Sequence, residues 1–173
     1  MVNTLPDTLE RPSTQQLRTW LAGVPDPEIP VLSVLDLGIV RELRWDGASC
    51  VVTITPTYSG CPAMQEISAG IRAELARHGV DDVRIETRLA PAWTTDWMTP
   101  AGKAALKGYG IAPPREQAVD ISGLSRRSAA PAPECPHCGS PRTRLISQFG
   151  STACKALYRC VACGEPFDYF KAH

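Results

Sequence analysis

A chain of 173 residues has room for one modest domain, or for a domain with a small appendage. Its 43% apolar content is that of a globular protein, and its formal net charge of zero argues against a sequence-blind grip on nucleic acid. No apolar run approaches the length of a membrane helix, and the opening stretch MVNTLPDTLERP has neither the basic n-region nor the apolar h-region of a secretory signal.

The first predicted element opens at Ser13, with Gln16 three residues later in a capping-box pattern. Leu17, Trp20, Leu21 and Val24 then share one helical face, and the prolines of PDPEIP end the helix. GIVRELRW and SCVVTIT are rich in strand formers and flank an Asp-Gly turn, which predicts a β-hairpin. The next stretch, TYSGCPAMQE, leads into a helix with Met64, Ile67, Ile71 and Leu75 on one stripe and Gly79 as its stop. VRIETRL alternates as a strand, and TPAGKAALKG reads as a short helix with Thr99 as N-cap and Pro100 in its first turn. The strand–helix–strand portion suits a right-handed crossover. The expected fold class is α+β, a small sandwich with helices packed on one sheet.

A stretch rich in Pro, Ser and Ala follows, APPREQAVDISGLSRRSAAPAPE, whose last part reads as a semi-extended linker. We place the first domain at 1–112, the linker at 113–133 and a second domain at 134–173. The second contains two C-x-x-C-G knuckles, CPHCG and CVACG, with 21 residues between Cys138 and Cys160. Cys135, Cys138, Cys160 and Cys163 at this spacing predict a closed tetrahedral metal site, with zinc the usual occupant and rubredoxin-like iron the competitor. About 40 residues rarely bury enough apolar area to fold unaided, so metal binding should supply folding energy. Cys160→Ser should therefore unfold the tail and leave the N-terminal helices largely intact. Residues 135–173 carry +3 and the rest −3, a mild asymmetry that suits docking to a protein at least as well as to nucleic acid. The aromatics of FDYFKAH fit either such docking or a closing core strand.

Seven cysteines without an export signal suggest the cytosol, where thiols serve metals or chemistry rather than disulfides. Cys61 lies between Gly60, which permits a sharp turn, and Pro62, a good first helical residue, so it is expected at a helix N-cap. Backbone N–H groups and the helix dipole would then lower its pKa and favour thiolate. The competing reading is a small buried residue at a tight corner. Cys50, at the start of a hairpin strand, reads as structural. A Cys61 nucleophile would need a base, but His78 lies 17 residues on, at the far end of the same helix and about 25 Å away at roughly 1.5 Å per residue. The polar candidates near Cys61 are Asp26, Glu28, Asp36, Thr55 and Thr57, residues that suit transient metal binding and serve equally often as caps and turn formers. Cys154 is the odd thiol: a buried filler, a redox-sensitive residue or a second functional ligand, with Lys155 beside it to favour thiolate.

DPEIPVLSVLDLGIVREL, VTITPTYSGCPAMQEI and LAPAWTTDWMTPAGKAAL resemble the small domain of iron–sulfur cluster assembly factors of the SufT type, over roughly residues 13 to 110. The resemblance implies a sandwich of the iron–sulfur assembly type, with Cys61 as the reactive cysteine. It places Asp26, Glu28, Thr55 and Thr57 around it, as a set that handles a transient iron–sulfur cluster or iron. The tail, and the two-domain order, are similar to a family of phenylacetate-degradation proteins that accompany the bacterial phenylacetyl-CoA epoxidase. That oxygenase has a diiron catalytic subunit and a reductase with a 2Fe–2S centre and flavin. The resemblance implies a non-catalytic, cytoplasmic maturation factor with a structural zinc ribbon. The reductase and oxygenase subunits would be its partners, with no nucleic acid or membrane involved. The alternatives are a stoichiometric structural subunit of the oxygenase complex and an enzyme using Cys61 as nucleophile.

Overall fold

The computed structural model describes residues 11–114 and 132–172. Most of the 113–133 linker lies outside the described residues. In chain order the elements are α1 (Thr14–Leu21), β1 (Val40–Asp46), β2 (Ser49–Ile54), α2 (Met64–Arg77), β3 (Val83–Thr87), a 3-10 turn (Thr95–Trp97), α3 (Pro100–Gly108), β4 (Ile111–Ala112), β5 (Thr143–Ser147), β6 (Lys155–Cys160) and β7 (Pro166–Phe170). The fold is α+β: α1 and α2 pack with a three-stranded sheet ordered β1-β2-β3, and a four-stranded sheet ordered β4-β7-β6-β5 follows. Among the described residues no helix is long and apolar enough to cross a membrane.

Local chemistry accounts for most of these elements. The capping box forms, with Gln16 N–H donating to Ser13 Oγ at 3.2 Å and Ser13 N–H to Gln16 Oε1 at 2.8 Å. Leu17 and Leu21 of α1 are fully buried. The Asp-Gly turn closes the hairpin, with Gly47 at a φ of 59° and Asp46 opposite Ser49. β2 is the central strand: it pairs antiparallel with β1 and parallel with β3, so α2 is the crossover helix between parallel strands. Ile67, Ile71 and Leu75 of α2 join Cys50, Val52 and Ile54 of β2 in one core. Cys50 is thus a structural residue, fully buried, and burial pushes its thiol pKa up.

The long loop between α1 and β1 is braced rather than free. Asp36 accepts from Ser33 Oγ at 2.6 Å and from Thr99 Oγ1 at 2.7 Å, tying the loop to the start of α3. Burial opposes ionisation of this carboxyl, but the Ser33 and Thr99 hydrogen bonds outweigh it and hold the pKa below the ordinary value. Asp36 is therefore a brace, the turn-forming use of that residue type. Trp93 Nε1 donates to Leu37 O at 2.9 Å, and Gly38, at a φ of 69°, sits where a Cβ would run into the Trp97 carbonyl.

The C-terminal sheet is not isolated from this core. β7 pairs parallel with β4, opposing Ile111 to Asp168 and Ala112 to Tyr169. Phe170, 1% exposed, lies 6.0 Å from the Trp93 ring and belongs, with Cys154, to the main hydrophobic cluster. Phe167 belongs to a smaller cluster with Ala112, Cys135 and Cys160. Of the two uses considered for FDYFKAH, burial in a closing strand is the one both phenylalanines adopt.

Candidate functional site

The two knuckles are built alike. In the first, Cys135 N–H donates to Ser140 O at 3.0 Å and Gly139 N–H to Cys135 O at 2.9 Å. In the second, Cys160 N–H donates to Glu165 O at 2.9 Å and Gly164 N–H to Cys160 O at 3.1 Å. Both turns need their glycine, at φ values of 72° for Gly139 and 84° for Gly164. The loops bring the sulfurs of Cys135, Cys138, Cys160 and Cys163 within 4.8 Å of one another. Cys135 and Cys163 are 3.8 Å apart and Cys138 and Cys160 3.6 Å. A tetrahedral zinc with Zn–S bonds of about 2.3 Å has sulfur–sulfur edges of about 3.8 Å, so the donor set fits such an ion. The Cys163 amide donates to Cys160 Sγ at 3.5 Å, a backbone hydrogen bond that favours sulfur as thiolate in the knuckle. The quartet is a metal site of the zinc-ribbon type, four thiolates with no open position.

Cys61 lies elsewhere, and not at the expected N-cap. Helix α2 begins at Met64, its N-cap is Ala63 in helical conformation, and no side chain caps it. Gly60, at a φ of 92°, does turn the chain, but Pro62 and Ala63 form a further turn before the helix starts. The sulfur therefore gains only one favourable amide, that of Ala63. Burial pushes the half-buried Cys61 thiol above its ordinary pKa. The Ala63 amide and the Tyr58 hydroxyl pull the other way, while the Glu28 and Asp26 carboxylates add to the rise. The expectation of a lowered pKa is corrected accordingly: two facing carboxylates and desolvation outweigh the displaced helix terminus.

Reactivity should reflect this. Cys61 is mainly a protonated thiol at neutral pH, so its alkylation rate should climb with an inflection above the ordinary thiol value of about 8.5. It should still label before Cys50, which is fully buried. Labelling of the native chain across pH 6 to 10, read by peptide mass, checks this; an inflection below about 7.5 would contradict it.

Asp26, Glu28, Thr57 and Cys61 line one small cavity of about 10 Å³, and Cys154 and Phe170 of the C-terminal region close its other side. The prolines of PDPEIP shape the acidic wall. Asp26 accepts from Glu28 N–H at 2.9 Å and from Ile29 N–H at 2.7 Å in an Asx-type turn, and its own N–H donates to Leu32 O at 2.7 Å. Burial nevertheless pushes the Asp26 carboxyl up, against these two amides and Lys155. Glu28 is also pushed up, by burial first and then by Asp26. Thr55 is not brought to this cavity: it is buried just past the end of β2, donates its N–H to Ile39 O, and lines a separate hollow with Arg41, Arg88 and Trp97. His78 sits past the far end of α2, stacked on Trp20 with ring centroids 4.2 Å apart, so it supplies Cys61 with no base.

Tyr58 and Lys155 join this neighbourhood without having been expected there, and Cys154, weighed above as a second functional ligand, lines the cavity itself. Tyr58 hydrogen-bonds Cys61, and its hydroxyl is pushed up to about 12 by burial first, then by the Cys61 and Glu28 charges. Cys154, 4% exposed, donates its thiol to Glu28 Oε2 at 4.0 Å and contacts Thr152 Oγ1 at 3.0 Å. Lys155, 5% exposed, is paired with Asp168 at 3.3 Å and acts electrostatically on Asp26, Glu28 and Cys154. Burial raises the Cys154 pKa and outweighs the Lys155 charge, so the adjacent lysine does not make it a ready thiolate. The local signal was there, an unpaired thiol and a Tyr two residues before Gly60. What no spacing rule could supply was that the ribbon folds back onto the DPE loop.

A helix/sheet sandwich with a cysteine beside an acidic turn, extended by a four-thiolate ribbon, is the architecture of an iron–sulfur-assembly-type domain joined to a zinc ribbon. Residues 14–87 match the family model of the iron–sulfur cluster assembly protein, and residues 120–171 match that of the PaaD zinc beta ribbon domain. The chain belongs to the PaaD family of phenylacetyl-CoA epoxidase components. It is 49% identical over 166 residues to the Escherichia coli K12 protein named as the putative D component of 1,2-phenylacetyl-CoA epoxidase, covering 95% of this chain and 96% of that one. It is also 32% identical over 83 residues to the Fe-S protein maturation auxiliary factor SufT of Staphylococcus aureus USA300, covering 47% of this chain and 93% of that protein. Among solved structures it is similar to a DUF59 domain of unknown function from Bacillus anthracis, with a TM-score of 0.50 and 27% identity, covering 53% of this chain and 89% of that one.

Proposed function

We propose that the chain is an accessory maturation factor of the phenylacetyl-CoA epoxidase system. Its cargo is iron or an iron–sulfur cluster, destined for the reductase or the oxygenase subunit. The observation that carries this reading is the gathering of Cys61, Asp26 and Glu28 at one cavity within the assembly-type domain. A thiol and carboxylates without a histidine base suit reversible holding of a metal and do not suit nucleophilic catalysis. The name of the SufT relative, a maturation auxiliary factor, supports the same class of role.

The structural-subunit reading keeps one observation in its favour. The C-terminal sheet exposes Leu145 and Ile146 on the edge strand β5, Phe149 beyond it and Val161 just after β6, apolar residues suited to contact with another protein. The zinc-loaded chain, incubated anaerobically with ferrous iron and sulfide, separates the two. Maturation predicts a visible chromophore that disappears in Cys61→Ser. No chromophore, together with co-purification with the oxygenase at fixed stoichiometry, would favour the structural subunit instead.

A further inference from the structure

We propose that the free edge of β5, with Arg142, Arg144 and Arg159 beside it, is a docking surface for an acidic, extended segment of an epoxidase subunit. The proposal rests on the reading that the chain serves that system, in either of its two forms, and names where the partner is held and by what chemistry.

Charge singles out this edge. Residues 135–173 carry a surplus of +3, and Lys155 is already paired with Asp168 at 3.3 Å. The surplus therefore falls on Arg142, Arg144, Arg159 and Lys171, with Glu165 the acidic side chain left against them. Arg144 stands directly opposite Arg159 across β5 and β6, an arrangement that costs stability until an anion answers it. Among the described residues none of Arg142, Arg144 and Arg159 is in an ion pair. In the N-terminal sheet, by contrast, Arg44 meets Glu86 at 3.1 Å, Arg84 meets Asp46 at 2.9 Å and Arg88 meets Glu42 at 3.4 Å.

The backbone of the edge agrees. β5 closes the order β4-β7-β6-β5 and is paired on one side only. The opposite edge strand, β4, is two residues long, too short to template a partner. Charge alone would keep an edge solvated and single. Here apolar side chains are interleaved with it: Leu145 is 41% exposed and Ile146 50%. Val161, 59% exposed, is held beside Arg142 by its N–H donating to Arg142 O at 2.8 Å. An added extended segment gains main-chain hydrogen bonds from such an edge and specificity from its side chains. Carboxylates on it answer the arginines, and apolar residues between them cover Leu145 and Ile146.

The same features select the occupant. A second copy of this edge would bring Arg142, Arg144 and Arg159 against their own equivalents, so self-pairing is disfavoured. Nucleic acid would answer the arginines but not the apolar side chains, and the chain as a whole has a formal net charge of zero. An acidic protein segment answers both.

The full chain, holding one zinc by elemental count, is tested against the purified reductase and oxygenase subunits separately. One subunit should bind, more weakly as salt is raised, and should slow hydrogen exchange at the β5 amides in the complex. Arg142→Glu combined with Arg144→Glu should weaken binding at least tenfold. That variant should keep its zinc and melt no lower than the wild type, because the Arg144 substitution turns a repelling pair with Arg159 into an attracting one. Should the double variant lose zinc, Arg144→Glu alone takes its place. Either wild-type affinity in the variant or unprotected β5 amides in the complex overturns the docking surface and leaves the epoxidase reading intact. Protection of β5 that follows the chain's own concentration assigns the edge to a second copy, and displacement of the subunit by a mixed-sequence oligonucleotide assigns it to nucleic acid; each overturns the proposal. Binding by neither subunit overturns it together with the structural-subunit reading, while the Cys61-dependent chromophore with iron and sulfide still decides maturation on its own.

Discussion

Cys160→Ser should lose the ribbon metal, unfold the C-terminal sheet and lower the stability of the N-terminal domain as well. Structural zinc binding is worth about 10–16 kcal/mol in small ribbons at neutral pH, so a three-thiolate remnant cannot hold a segment of about 40 residues. The consequence reaches further than independent domains would suggest. β7 is hydrogen-bonded to β4, and Phe170 is fully buried beside Trp93 in the main core. Removing a buried Phe side chain from its contacts costs about 3–5 kcal/mol. Thermal unfolding followed by helical circular dichroism, with zinc and then with chelator, should show the helices of the variant melting several degrees below the wild type. An unchanged helical melting temperature would mean that the two regions are energetically separate, as the sequence pattern alone suggests. The same variant should label faster at Cys61, because Cys154 and Phe170 no longer close the cavity.

What could be read in advance, and what could not, divides along physical lines. The Ser13–Gln16 capping box, the Asp-Gly hairpin, the α2 stripe and the Thr99–Pro100 start of α3 rest on contacts within a few residues, and each is present as expected. The zinc knuckles are likewise local, since two thiols and a glycine fix each loop. Cys61 was placed by the same local logic and misplaced by it: a glycine–cysteine–proline sequence is compatible with an N-cap, but the chain takes one more turn before Met64. Its pKa direction then reversed, because burial dominates and the carboxylates that add to it, Glu28 and Asp26, lie more than thirty residues away in sequence. Cys154 was weighed as a ligand from its odd thiol alone, but its place beside Glu28 was not legible: the C-terminal sheet brings it and Lys155 to the DPE loop, and no periodicity encodes that return. Thr55 shows the reverse case, a residue close to Cys61 in sequence that follows β2 directly and lines another hollow.

The Cys61→Ser variant should fold normally yet leave the epoxidase system short of metal. Because the sulfur caps no helix, replacing it with oxygen removes no capping bond, and the Tyr58 hydroxyl can donate to Oγ as it does to Sγ. A half-buried, nearly isosteric change of this kind should alter stability by less than about 1 kcal/mol. What is lost is the soft ligand that iron and iron–sulfur clusters favour. Even an outer-shell change typically weakens a metal site by about tenfold or more, so loss of a ligand should cut cargo occupancy at least as far. The measurement is iron per reductase and per oxygenase subunit, each purified from cells carrying wild-type or Cys61→Ser protein, alongside epoxidase turnover. Maturation predicts that the client protein accumulates with less iron and that turnover falls in proportion to the iron lost. Equal iron and equal turnover in both strains would rule out a required metal-handling role and favour the structural subunit. Iron lost from the reductase would identify a cluster client. Loss confined to the oxygenase would keep the maturation reading and move its client from the cluster-bearing reductase to the diiron protein.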